Sequence, residues 1–193
     1  MSIYYRKDNR TAECFADDIK KYHKLEDIWS AVLAEHYLDA DNVDSVSVTP
    51  FGSDALGRIK TKATNKPDYQ YDINYKSGLS RKKLIEIKSH RKIKTCDFYT
   101  YKVSSLKGCI EHKGRIFTPD SESFIEIPPK SIKELLVNHE HKQYFSYAPN
   151  KMAIRISKNE LENYIKNGII RRYYWCERCI KNINKMYKEL FSV

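Results

Sequence analysis

Two neighbouring runs constrain this chain more than any other feature. Residues 68–75 set Tyr69, Tyr71 and Ile73 against Asp68, Gln70 and Asp72, the period-two alternation of a strand with one apolar face. Lys76-Ser77-Gly78 supplies a turn and residues 82–89 the next strand, so the two read as a hairpin. In that second strand Leu84, Glu86 and Lys88 share one face, while Ile85 and Ile87 share the other. An acid and a lysine among branched apolar neighbours are costly on a buried sheet face unless they are paired or needed there. Asp68 opens the adjoining strand and brings a second carboxylate to the same end of the sheet.

Around this hairpin the pattern alternates between helix and strand. Residues 11–38 repeat apolar side chains at three- and four-residue steps (Phe15, Ile19, Tyr22, Leu25, Trp29, Val32, Leu33), which predicts a long amphipathic helix. A strand over 43–51 follows, then a loop over 52–66 long enough to suspect a function. A second helix is expected over 99–112, short strands over 115–118 and 123–127, and a helix over 131–138. A strand over 152–156 leads into a helix over 158–166 that opens on the capping box Ser157-Lys158-Asn159-Glu160. Gly168 ends that helix, and a final helix is expected over 172–190. The expected architecture is an α/β or α+β domain around a central sheet. With 193 residues, 41% hydrophobic and 12% aromatic, the chain has material for one real core.

Composition bounds the setting. No apolar run approaches the roughly 20 residues needed to cross a bilayer. MSIYYRKDNR lacks the apolar core of a signal peptide, so a soluble, cytoplasmic protein with no membrane partner is expected. Thirty-five Lys and Arg against 25 Asp and Glu leave a net charge of +10, which attracts polyanions, nucleic acid foremost; the alternative is a merely soluble basic protein. The many Lys, Asn, Ile and Tyr fit an AT-rich genome, such as that of a phage or a low-GC bacterium. Five cysteines without an export signal are expected as free thiols. Cys176 and Cys179 have zinc-like spacing but no second pair, so buried free thiols are the alternative to a zinc site.

Two carboxylates at one point suit a hard divalent cation, Mg²⁺ or Mn²⁺. Such a cation polarises a phosphoryl oxygen and makes hydroxide available near neutral pH. A lysine two residues away can hold the attacking water or balance charge growing on the phosphate. At these residues the sequence resembles the PD-(D/E)xK nuclease superfamily: Pro67-Asp68 matches the first element and Glu86-Ile87-Lys88 the second. A helix before the first strand and a helix after Lys88 match its α-β-β-β-α-β order, and the resemblance covers roughly residues 11–118. It implies a restriction endonuclease-like core, a central mixed sheet flanked by helices, over about 11–128. The rest, about 129–193, would be a C-terminal α/β extension of the same single domain that extends the sheet and supplies helices. It further implies Asp68 and Glu86 as metal ligands, Lys88 as the catalytic lysine, and hydrolysis of DNA, with RNA not excluded. A resolvase-like member would act as a homodimer. No separate target-recognition domain fits this length, so a structure-selective or weakly sequence-selective nuclease is expected rather than a restriction enzyme.

Acid-x-Lys alone is a cheap match: Asp18-Ile19-Lys20, Glu111-His112-Lys113 and Glu140-His141-Lys142 also fit. Pro119-Asp120 precedes Glu126-Ile127-Pro128, which lacks the lysine and serves as a decoy. Glu26 and Glu35 flank the apolar stripe of the first helix and stand as further metal-site acids or as a solvated helix edge. Asp72 is the alternative ligand on the face of Asp68. Arg81, Lys83, Arg91, Lys92 and Lys94 flank the motif strand as phosphate contacts or as a charged rim, and His90 is assigned to the loop. Arg171-Arg172-Tyr173-Tyr174-Trp175 is a second contact or a helix start. His139 and His141 flank Glu140 in a polar loop. The rival from another class is a nucleic-acid-binding or structural subunit of a viral or nucleic-acid machine that keeps the fold without its chemistry. For the motif itself the alternative is a surface hairpin whose Glu86 and Lys88 form a cross-strand ion pair of little energetic worth.

Overall fold

The computed structural model describes residues 12–52, 65–89, 97–144 and 151–191, with side chains given from residue 24 onward except at 187, 190 and 191. The elements are α1 (Ala12–Leu38), β1 (Val43–Pro50), β2 (Tyr69–Tyr75), β3 (Ser80–Ile87), β4 (Phe98–Lys102), α2 (Val103–Glu111), β5 (Arg115–Pro119), β6 (Ser123–Ile127), α3 (Pro129–Asn138), β7 (Lys142–Gln143), β8 (Met152–Ser157), α4 (Lys158–Lys166), β9 (Arg171–Tyr174) and α5 (Glu177–Phe191). Six strands form a mixed sheet in the order β1-β2-β3-β5-β6-β9, and β4-β8-β7 form a smaller one. Within the large sheet only β3 and β5 run parallel; the other neighbours are antiparallel. A parallel pair needs a crossover, and α2 lies within it. The chain is thus an α/β protein with helices flanking a mixed sheet.

Two cores sandwich the large sheet. On one face Leu25, Trp29, Val32 and Leu33 of α1, with Cys179 and Ile183 of α5, pack on Tyr71, Ile73, Ile85, Ile87, Phe117 and Phe124. On the other, Leu106 and Cys109 of α2, Ile132 and Leu135 of α3, Ile154 and Ile156 of β8 and Leu161 of α4 pack on Ile116, Ile125 and Ile127. Being covered on both sides, β5 and β6 are buried almost throughout and not at alternate positions. Only the second half of β3 is buried, which puts Glu86 in the interior. Ser30 and Tyr71 join α1 to β2 by a buried hydroxyl pair at 2.7 Å, and the Tyr69 hydroxyl donates to Asp27 at 2.6 Å.

Two sequence expectations are corrected. The helix expected over 99–112 begins only at Val103: Phe98–Lys102 is β4, paired antiparallel with β8. Tyr99 and Tyr101 alternate with Thr100 and Lys102, and burying that aromatic edge against Ile154 and Ile156 outweighs the weak helical preference of the run. The helix expected from 172 begins at Glu177, because Arg171–Tyr174 pairs with β6 as the last strand of the sheet. The hairpin turn forms as read, with Gly78 at φ +81°. The Ser157 capping box closes both reciprocal bonds, and Gly168 at φ +69° follows α4. Among the described residues no helix is long and apolar enough to cross a membrane.

One consequence for stability lies in the α1 core. The His36 ring meets Phe124 and Trp175 edge-on, at centroid distances of 5.0 and 5.6 Å, and its Nδ1 has no hydrogen-bond partner among the described residues. Burial lowers its pKa below 6.5, assisted by Lys83 and opposed by Asp39 and Glu126. Below pH 6.5 the unfolded chain takes up a proton that the folded state resists, so stability falls as pH drops. Thermal denaturation between pH 7.5 and 5 should show the wild type losing more stability than His36→Phe as pH drops, a difference of roughly 3 °C in melting temperature at pH 5. An unchanged slope in the variant would assign the decline to other groups.

Candidate functional site

Asp68, Glu86 and Lys88 come together where the β2–β3 ladder ends. The register pairs Tyr69 with Ile85, so the next residues, Asp68 and Glu86, stand abreast with side chains on the same face. Past the last ladder pair, the Ile87 N–H donates to Asp68 Oδ2 at 2.7 Å, which fixes that carboxylate across the two strands. The Lys88 N–H donates to the Phe117 carbonyl at 2.8 Å, holding the end of β3 to β5. The Lys88 ammonium is ion-paired with Glu86 Oε1. The Glu86 side chain is 8% exposed and that of Lys88 24%, so the pair is a largely desolvated one.

The electrostatics follow from this crowding. Burial and then the neighbouring Glu86 charge push Asp68 well above the usual carboxylate range, with Glu26 adding to the effect; Lys88 and the Ile87 N–H oppose it. Burial alone would lower the Lys88 pKa, but Glu86, Asp68 and Glu26 together raise it, so the ammonium stays charged. Glu26 of α1 therefore acts on both partners, a role that helical periodicity could not separate from a solvated edge. Glu35, the other acid of α1, instead accepts from Asn182 of α5 at 2.7 Å. Asp72 accepts from Gln70 at 2.8 Å and sits 3.9 Å from Lys82, outside the cluster. Cys109 of α2 lies beneath the site, fully buried; burial and then Glu86 raise its pKa, which keeps it a thiol.

The segment before Asp68 is seated by three glycines. A Cβ on Gly108 of α2 would land on the Asn65 carbonyl, one on Gly114 would lie 2.7 Å from Pro67 Cγ, and one on Gly52 2.9 Å from the Pro67 carbonyl oxygen. The backbone that carries Asp68 into the sheet therefore runs against α2 and the α2–β5 turn with no room for side chains there. No local sequence signal marks these positions, because the approaching backbone is distant in the chain.

The remaining candidates fall elsewhere. Lys83 lies on the opposite face, its ammonium 4.1 Å from the centroid of the Tyr37 ring, and Arg81 shares that face. Arg91, Lys92 and Lys94, with His90, lie outside the described residues. The decoy acid Glu126 is buried and ion-paired with Arg115, and the Tyr37 hydroxyl donates to it at 3.5 Å. Asp120 caps the β5–β6 turn through the N–H groups of Glu122 and Ser123. Arg172 forms a two-pronged pair with Glu162 at 2.6 and 3.1 Å, and Trp175 is a core residue. His139 meets the Tyr164 hydroxyl of α4 at 3.2 Å, and His141 the Leu136 carbonyl of α3 at 2.9 Å, both structural ties. Cys179 is buried against the Val32 carbonyl, 3.9 Å away, as a free thiol of the core, while Cys176 is half-buried. Among the described residues no three His, Cys, Asp or Glu side chains group closely enough to enclose a metal ion. No protein-family model and no curated protein matches the chain, and the reading of the site rests on its own residues.

Proposed function

We propose that this chain is a divalent-cation-dependent nuclease of the PD-(D/E)xK type that hydrolyses phosphodiester bonds of DNA. The observation that carries the reading is the alignment of Asp68 and Glu86 on one sheet face, with Lys88 against Glu86, at the buried end of β3. The order α1-β1-β2-β3-β4-α2-β5, with β4 set apart in the smaller sheet and β3 parallel to β5, supports a restriction endonuclease-like core.

The donor set fits the cation the reading requires. Burial and then repulsion from the adjacent Glu86 raise Asp68, a strain that a cation between the two would relieve, and hard oxygen donors are what Mg²⁺ and Mn²⁺ take. Asp68 and Glu86 would hold the ion, and when bound it would polarise a phosphoryl oxygen and acidify a water. The Ile87 N–H holds one oxygen of Asp68 and leaves the other as the donor for the ion. Lys88 keeps its proton and offers a fixed positive charge to a water or to the phosphate as negative charge accumulates there. The partial burial of the site strengthens that interaction by excluding bulk water. The +10 net charge of the chain favours approach of a polyanion.

The test incubates the full chain and a Glu86→Gln variant with single-stranded, duplex and branched DNA in Mg²⁺, Mn²⁺ or EDTA. Cleavage that requires the cation and falls at least about a hundredfold in the variant is expected. Thermal denaturation should show the wild type stabilised by Mn²⁺ and the variant much less so. Equal DNA binding by both proteins, with no cleavage and no cation-dependent stabilisation, would replace the enzyme by a binding module.

A further inference from the structure

The register that places Asp68 beside Glu86 also brings an aromatic side chain to the site. β1 pairs Pro50 with Tyr69, so Phe51 comes abreast of Asp68, and its N–H donates to the Asp68 carbonyl at 2.8 Å. Phe51, Asp68 and Glu86 thus form one cross-strand row on one face of the sheet. The Phe51 ring is half-buried and meets the half-buried ring of His112, at the end of α2, nearly edge-on with centroids 6.0 Å apart. The exposed Lys66 ammonium lies 5.3 Å from the Phe51 centroid, over the ring. A phenyl ring set nearly perpendicular to an imidazole, with a cation over it, is more than apolar filling for a core.

We propose that Phe51, braced by His112 and attended by Lys66, is a nucleobase-stacking subsite adjoining the Asp68–Glu86 pair, and that it selects single-stranded DNA. This rests on the nuclease reading for one point, that the strand held there presents its phosphate to Asp68 and Glu86. An unpaired base stacks on the ring face that Lys66 covers in the free protein, and the displaced ammonium turns to the adjoining phosphate. Every base has a π-face, so the subsite discriminates little among sequences. It does discriminate between polymers, because a base inside a continuous duplex is already stacked and reaches a single ring only by leaving its pair. Lys66 adds a charge to the backbone contact, and binding through it weakens with salt.

The test is run in EDTA, so that binding is read without cleavage. The probes are a mixed-sequence single-stranded oligonucleotide, its duplex, and a single-stranded copy carrying iodouracil, whose photo-crosslinks report a stacked aromatic. Phe51→Leu keeps the apolar bulk and removes the ring; Phe51→Tyr restores the ring. The wild type should crosslink at Phe51 or His112 and prefer the single strand. Phe51→Leu should bind the single strand about tenfold more weakly with little change on duplex, and Phe51→Tyr should recover most of that loss. Lys66→Ala, at an exposed position, should keep the crosslink and reduce the salt dependence by about one phosphate contact. Single-strand binding by Phe51→Leu equal to wild type overturns the proposal. So does a wild type that crosslinks at neither ring, a result that decides the question even if the leucine variant does not fold. The nuclease reading fails separately: a wild type that stacks on single strands yet cuts nothing with any cation keeps the subsite and loses the enzyme. Cation-dependent cleavage with no ring crosslink does the reverse.

Discussion

Lys88→Ala should abolish cation-dependent cleavage, by about a thousandfold or more, while leaving the fold intact. The ammonium touches Glu86 directly and stays protonated under the pull of Glu86, Asp68 and Glu26. Removing a fixed charge from the place where negative charge develops typically costs a hundredfold to a thousandfold, and here Glu86 also loses its ion-pair partner and Asp68 a neighbouring positive charge. Stability should shift as well, and with a definite sign. Without the lysine, Asp68 and Glu86 stand side by side uncompensated, and breaking a buried pair in this way costs about 3 kcal/mol, less here because Lys88 is partly exposed. Asp68 already holds its proton to higher pH than it would unfolded, and loss of Lys88 extends that. The folded state therefore binds the proton more tightly, so relative to the wild type, in which His36 acts equally, the variant should lose more stability as pH rises from 5 toward 8. Denaturant titrations at the two pH values measure this directly. A variant whose stability changes between pH 5 and pH 8 just as the wild type's does would mean that water, not Lys88, screens the carboxylates. Retention of cleavage would remove Lys88 from the chemistry altogether.

Gly108→Ala should be nearly as damaging although residue 108 carries no functional group. A methyl group there meets the Asn65 carbonyl, which is backbone and cannot rotate away. Either α2 moves off the sheet, opening the core around Leu106 and Cys109, or the 65–67 segment moves and takes Asp68 with it. Overpacking of this kind costs about 1–3 kcal/mol. Displacing a positioned carboxylate by an ångström costs about a hundredfold in rate. The expected result is a lower denaturation midpoint together with a larger fall in cleavage than the stability loss explains. Gly78→Ala is the contrasting control: its cost comes from a positive φ in an open turn, far from Asp68, and should appear in stability alone. Equal effects of the two substitutions on cleavage would show that the glycine at 108 does not position Asp68.

Much of the site was legible in the chain, and for a local reason. Strand side chains alternate with period two, and a short turn closes a hairpin, so Glu86 and Lys88 on one face with Asp68 at the same end of the sheet follow from spacing; the register then put Asp68 on that face too. The α4 capping box and the Gly78 turn are equally local, each being satisfied within a few residues. The pattern was misread where pairing over distance outweighs local preference. Phe98–Lys102 became a strand because β8, some fifty residues later, offers Ile154 and Ile156 to its tyrosines. Arg171–Tyr174 became one because β6 leaves a free edge for it.

Tertiary structure alone decided the rest. Strand spacing put Lys83 at the rim of the motif, but only the packing of α1 sends its ammonium over Tyr37, on the face away from Asp68. Phe51 looked like the end of a strand until β1 paired with β2 and laid it beside Asp68, and His112 reaches it only because α2 folds back over that face. Gly108 and Asn65 give no sign of each other in the sequence. A strand's period is written in neighbouring residues and can be read from them; the contacts between segments depend on how the whole chain closes, and no local pattern encodes that.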